Sequence, residues 1–272
     1  MSGFLRNLGR RCATAAVALP LLTLALFWGP VWLMELIVAA AVLLGLRELF
    51  VLLAARSIRP LRIPAVLLAG LFFLDAAHPA VAHPPVVPLA VVIVLSAVLL
   101  RREEFVHSVP AAALTLLGAL YLGALGGSLA ALRSLTPEGE GPWRLTMLFA
   151  VVMVADTFAY LVGSAIGRHK LAPRISPGKT WEGGIGAAVG GVLTALVVRH
   201  LGLPTLSLTH AALLGLGVTV LGTVGDLAES LLKRWAGVKD SGALFPGHGG
   251  MLDRLDSLLF GAPVLYYYFL WR

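Results

Sequence analysis

Apolar runs of bilayer-crossing length follow one another along this chain with little between them, and that succession decides its class before any single residue is weighed. A helix needs roughly 17–25 predominantly apolar residues to span the hydrocarbon layer. Nine candidate segments lie near 12–29, 31–53, 64–77, 85–100, 110–132, 145–167, 184–199, 209–226 and 255–271. Joints such as Gly29-Pro30, Pro84-Pro85 and Gly141-Pro142 separate them, and the short 64–77 segment carries Asp75 near its end. The chain of 272 residues is 58% hydrophobic and 13% charged, against about 45–50% and 25% in ordinary globular proteins. A water-facing surface cannot be covered from such a composition. The pattern predicts an all-α, polytopic membrane protein with about nine transmembrane helices. Residues 1–272 read as one integral membrane domain, with scaffold spans over about 1–140 and the chemistry confined to about 145–272.

The first run, Ala13–Phe27, follows Arg6, Arg10 and Arg11 and so has the outline of a secretion signal. A second apolar run begins directly after Gly29-Pro30, however, so the first reads as a retained span. Cys12 is the only cysteine and can form no internal disulfide; it reads as a packing residue beside that span. Placing the N-terminus in the cytoplasm puts most basic residues on one side. The inner segments then hold Arg6, Arg10, Arg11, Arg47, Arg56, Arg59, Arg62, Arg101 and Arg102. They also hold Arg168, Lys170, Arg174, Lys179, Lys233, Arg234, Lys239 and Arg254, leaving only Arg133, Arg144, Arg199 and Arg272 outside. That asymmetry is the positive-inside pattern. The net charge of +7 needs no nucleic acid to explain it, because anionic headgroups and phosphorylated substrates attract cations equally well.

Ionisable groups within spans are costly and call for a reason. Asp156 is flanked by uncharged residues from 145 to 167, and Asp226 follows Gly222 and Gly225 near the inner end of the eighth span. An ion pair joining two helices is the plain explanation for Asp156; a role at an interior site is the other. From Asp226 the chain runs as a helix through Leu227, Leu231 and Leu232. Gly237, Gly242, Pro246, Gly247, Gly249 and Gly250 then forbid its continuation, and helix resumes at about Asp253. Asp226, Asp240, Asp253 and Asp256 are hard oxygen donors suited to Mg²⁺. Lys233, Arg234, Lys239 and Arg254 are mingled with them, and the glycine-dense turn can bring backbone N–H groups close to an anion. Such a set is the equipment of phosphoryl or nucleotidyl transfer. Asp253 as a helix cap and Asp256 in the first turn would explain those two structurally, but not Asp226 nor Lys239-Asp240.

The other inner loop, 168–183, offers Arg168, Lys170, Arg174 and Lys179 with Ser176 and Thr180 as an anion-binding set, Lys179 being the strongest member. Gly178-Lys179-Thr180 is not a P-loop, because Pro173 stands where the motif needs glycine. The Gly/Ala-rich run 183–191 predicts close helix packing. His248, in Pro-Gly-His-Gly-Gly, serves either a phosphate or the turn itself; the histidines at span ends read as structural. No Ser-His-Asp or Cys-His arrangement stands out, so a covalent protein intermediate is not indicated.

Ser230-Leu-Leu-Lys233-Arg234, then Lys239-Asp240-Ser-Gly242, then Phe245-Pro-Gly-His248-Gly-Gly-Met-Leu-Asp253-Arg254-Leu-Asp256 resembles the signature of the phosphatidate cytidylyltransferase (CDP-diglyceride synthase) family, without departure. The run from Asp156 through Tyr160, Gly163 and Gly167 to Ser176-Pro-Gly-Lys179-Thr180-Trp-Glu-Gly183 is similar to the family as well. The resemblance implies transfer of the cytidylyl group of CTP to phosphatidate by a homodimeric, multi-pass enzyme of the inner membrane. It also implies Mg²⁺ at Asp226, Asp253 and Asp256, and admits a monovalent cation such as K⁺ beside it. Those three carboxylates and Lys239 are the expected catalytic residues. Lys179, Ser176, Thr180, Arg234, Asp240, His248, Arg254 and Asp156 are expected to bind substrate. A transporter, or a nucleotide-dependent enzyme acting on another lipid, are the alternatives that broken helices and an intramembrane Asp156 leave open.

Overall fold

The computed structural model describes residues 20–81, 85–101, 104–135, 139–242 and 249–272. Cys12, His248 and the 243–247 part of the signature lie outside the described residues. The chain divides into two compact units, Met1–Ala130 with Trp235–Leu255, and Ala131–Arg234 with Asp256–Arg272. Both are built almost wholly of helices.

In the first unit, residues 20–27 are helical, and α1 (Val31–Ala54), α2 (Arg62–Ala77), α3 (Val86–Leu99) and α4 follow. The last is α-helical over Phe105–Ala119, π-helical over Leu120–Ala124 and α-helical again over Leu125–Ala131. Pro30 ends the preceding turn and caps α1 with φ −65°. At its other end Ser57 takes φ +59°. The Ser57 and Ile58 amides donate to the carbonyls of Ala54 and Leu53 at 2.9 and 3.1 Å, the paired bonds that close a helix through a left-handed residue. The α1–α2 turn is then pinned to α4, because Leu61 N donates to Thr115 Oγ1 at 2.9 Å. Met34, Leu46, Leu53, Leu68 and Leu122 fill the interior. Gly123, in the π-helical stretch, lies so near α2 that a Cβ there would collide with the Ala69 carbonyl.

The second unit contains α5 (Gly141–Ile166), a hairpin of β1 (Lys170–Ala172) and β2 (Ser176–Thr180), α6 (Trp181–Gly202), α7 (Leu208–Ala236, its last two residues in the first unit) and most of α8 (Leu252–Leu270). The hairpin departs from an all-α expectation. It pairs Lys170 with Thr180 and Ala172 with Ser176, and Ser176-Pro-Gly has no apolar alternation to announce a strand. The expected close packing of 183–191 is present. Gly186 and Gly190 sit against Val162 and Phe158 of α5, while Gly191 sits against Thr219 of α7, each without room for a Cβ. Small residues let helix backbones approach where apolar side chains gain nothing from leaving lipid.

Among the described residues, α1, α4, α5, α6 and α7 are long and apolar enough to cross a membrane. The segments expected at 64–77 and 85–100 form helices of 16 and 14 residues, at most about 24 Å long at 1.5 Å per residue. The eighth expected span ends at 226, and the helix continues to Ala236 as the spacing of Leu227, Leu231 and Leu232 predicts, until Gly237 turns the chain at φ +79°.

Candidate functional site

A cavity of about 460 Å³ opens in the second unit between α5, the hairpin, α6 and α7, with Asp156, Tyr160, Ser176, Lys179, Thr223 and Asp226 on its walls. Each wall has a local reason for its position. Thr180 ends β2 and caps α6, its Oγ1 accepting from Gly183 N at 3.1 Å. That cap fixes Lys179 one residue earlier. Glu182, in the first turn of α6, accepts from His169 N at 3.2 Å and meets His169 Nδ1 at 2.6 Å, which closes the base of the hairpin. Lys179 Nζ then lies 2.6 Å from Asp226 Oδ2, joining the hairpin to α7. Ser230 Oγ, one turn further along α7, donates to Asp226 Oδ1 at 3.3 Å.

Asp256 enters from α8. Gly225 has no room for a Cβ against the Asp256 carbonyl and the Phe260 side chain, so α7 and α8 cross almost in backbone contact beside Asp226. Asp256 is within electrostatic range of both Asp226 and Asp156. The second unit thus gathers three of the expected carboxylates and Lys179. Arg234 Nε donates to the Ile175 carbonyl at 3.4 Å, so it lies against the hairpin turn. Thr180 lies at the cavity with its hydroxyl accepting the cap hydrogen bond.

The remaining expected residues belong to the first unit. Lys239 and Asp240 are exposed just beyond Gly237, and Arg254 is exposed on the first turn of α8. Asp253 is not the helix cap of the structural reading, because α8 already begins at Leu252; it stands in the first turn and its Oδ2 accepts from Gly250 N at 2.7 Å, Ser241 N at 3.1 Å and Ser241 Oγ at 2.8 Å. Gly250, at the described end of the glycine-dense turn, thus gives its amide to an anion of the protein itself. Met251 N and Leu252 N donate to Glu48 of α1 at 2.9 and 2.8 Å.

The sequence reading passed over Glu48 and Glu229. Glu48 interrupts the apolar 31–53 run, the same signal that marks Asp156. Glu229 is completely buried on α7 and paired with Lys233 one turn away. Among the described residues, no three His, Cys, Asp or Glu side chains are placed to hold a metal ion by themselves. Magnesium, however, is ordinarily held by one or two carboxylates together with water and substrate phosphates, and the neighbouring Asp226 and Asp256 are a donor set of that kind.

Apolar helices enclosing a cleft of carboxylates and cations define a multi-pass membrane protein with polar chemistry in one of its units. The family follows from comparison with known proteins: the chain matches the model of the cytidylyltransferase family over residues 9–271 and belongs to that family. It is 34% identical to a phosphatidate cytidylyltransferase of Synechocystis over 262 residues, 87% of this chain and 88% of that one. A protein of the same name from Bacillus subtilis is 33% identical over 235 residues, covering 82% and 85%. The one from Haemophilus influenzae is 42% identical over 134 residues, so the match spans about half of that relative, 46% of its length.

Proposed function

We propose that this protein transfers the cytidylyl group of CTP to phosphatidate, giving CDP-diacylglycerol and pyrophosphate for phospholipid synthesis. The observation that carries the reading is the Lys179–Asp226 ion pair on the wall of a 460 Å³ cavity shared with Asp156. The names of the relatives aligned over most of both chains supply the substrate class. An oxygen of the lipid phosphate attacks the α-phosphorus of CTP. A new P–O bond forms there as the bond to the β-phosphate bridging oxygen breaks, and pyrophosphate leaves with that electron pair. The nucleophile is already an anion, so no strong general base is required, in keeping with the absence of one from the sequence motifs.

Asp226 and Asp256 would hold Mg²⁺ together with water and substrate phosphates, with a monovalent cation such as K⁺ beside it; Asp253, the third carboxylate expected there, is engaged by Gly250 and Ser241. Bound there, the metal supplies charge neutralisation and alignment of the phosphates. Lys179, Arg234, Lys239 and Arg254 offset the negative charge of triphosphate and lipid phosphate, which is most valuable in a water-poor cleft. Ser176, Thr180, Asp240 and His248 offer hydrogen bonds to the same groups, and Asp156 orders the polar end of the cavity. The reading also holds that there are nine spans, that the N-terminus and the site face the cytoplasm across the inner membrane, and that the enzyme is a homodimer.

The test is direct. Purified protein is incubated with phosphatidate micelles, CTP and Mg²⁺, and the lipid product is identified by mass. A cytidine-bearing lipid is expected; a lipid that gains phosphate alone would make the protein a kinase, and solute flux in proteoliposomes without CTP consumption would make it a transporter. Asp226→Asn should abolish turnover while leaving the helical circular dichroism unchanged, and near-normal product formation would overturn its assignment.

A further inference from the structure

Glu48 is a carboxylate within an apolar helix, where charge persists only with partners. Its partners all come from one place. Met251 N donates to Oε1 at 2.9 Å and Leu252 N to Oε2 at 2.8 Å, and Ser241 Oγ lies 3.0 Å from Oε2. Met251 and Leu252 stand at the start of α8, where the first amides have no partner within the helix and the dipole favours negative charge. Glu48 therefore caps α8 from another helix. The glycines of the turn are shaped around it, since a Cβ at either Gly242 or Gly250 would run into the Glu48 carboxylate. Ser241 Oγ lies within hydrogen-bond distance of Glu48 and of Asp253, so the two acids are tied through one hydroxyl.

We propose that Glu48 is a positioning residue: from α1 it clamps Ser241 and the Met251 and Leu252 amides and thereby fixes the first turn of α8, the helix that carries Asp253 and Asp256. The inference rests on the proposed function for its catalytic consequence, but not for the clamp. It also gives Gly242 and Gly250 a cause other than close approach of substrate phosphate. Glu48 touches no substrate in this scheme and acts through Ser241, the Met251 and Leu252 amides, and Asp253.

Two measurements on the full-length protein in detergent separate the clamp from its consequence. Hydrogen exchange, read by mass spectrometry, follows peptides covering 249–255 and, as a reference, 185–198 of α6. Glu48→Gln keeps the shape but loses the charge and one acceptor. It should speed exchange in 249–255 at least about tenfold, the loss expected for hydrogen bonds to a charged group, with the α6 reference unchanged. In the cytidylyl-transfer assay, Glu48→Gln should lower kcat by about 10–100-fold, the usual effect of losing a group that orients a site residue, with KM for phosphatidate within about twofold. Glu48→Ala should lower kcat further, and Glu48→Gln remains decisive if the alanine variant does not fold. Unchanged exchange in 249–255 would overturn the clamp. Faster exchange with wild-type kcat would overturn the positioning role, as would a loss carried wholly by KM for phosphatidate. A wild-type protein that makes no cytidine-bearing lipid would refute the proposed function and the catalytic consequence with it, while the exchange result still decides the clamp.

Discussion

Lys179 and Asp226 show how much one pair of side chains can determine. Asp226 was visible in the sequence because an acid in an apolar run has few innocent explanations. Lys179 was singled out too, but their pairing was not legible, because contact between residues 47 positions apart depends on how a hairpin folds back. Lys179→Ala should reduce kcat/KM for CTP by about 10²–10³-fold, the usual effect of removing one charge-stabilising donor, with little change in the helical spectrum. Kinetics at varied CTP concentration would check it, and a variant within threefold of wild type would remove Lys179 from the site. Glu229 belongs to a different class. It is wholly buried, with Lys233 as its charge partner, and removing one half of a buried pair strands the other. Glu229→Ala should destabilise the protein by about 3–5 kcal/mol, read as a lowered midpoint of thermal unfolding in detergent.

At the scale of elements, the helices follow from apolar periodicity and their ends from proline and glycine. Gly237 ends α7 where the sequence says it must, and α8 resumes within one residue of the expected place. The β1–β2 hairpin was not legible, because its pairing comes from backbone hydrogen bonds and from Glu182 gripping His169, neither of which leaves an alternating pattern. The meaning of individual glycines was equally hidden. Gly225→Ala should cost about 1–3 kcal/mol through overpacking, since its Cβ would meet the Asp256 carbonyl and Phe260. Gly70 of α2 has open space around it. Gly70→Ala should therefore be neutral or slightly stabilising, as alanine is the better helix former. Paired unfolding curves of the two variants distinguish packing from propensity; equal effects would show that the α7–α8 crossing is not tight.

For the whole molecule, the proposed topology and metal requirement are separable. Chelation with EDTA should abolish turnover, and added Mg²⁺ should restore it; activity that survives exhaustive chelation would remove the metal from the scheme. A Lys170→Cys variant in a Cys12→Ser background should react with an impermeant maleimide only from the cytoplasmic face of oriented vesicles. Labelling from the opposite face would invert the assigned orientation. What the sequence alone determined is the membrane class, most helix boundaries and the identity of the polar residues, because hydrophobic length, helix punctuation and misplaced charge are local properties of a chain. Only the tertiary structure decided which charges meet. Lys179 finds Asp226, the Asp256 backbone packs on α7 where Gly225 leaves room, and the Met251 and Leu252 amides close on Glu48, some 200 residues away, because partners are chosen by the crossing of helices and not by spacing along one of them.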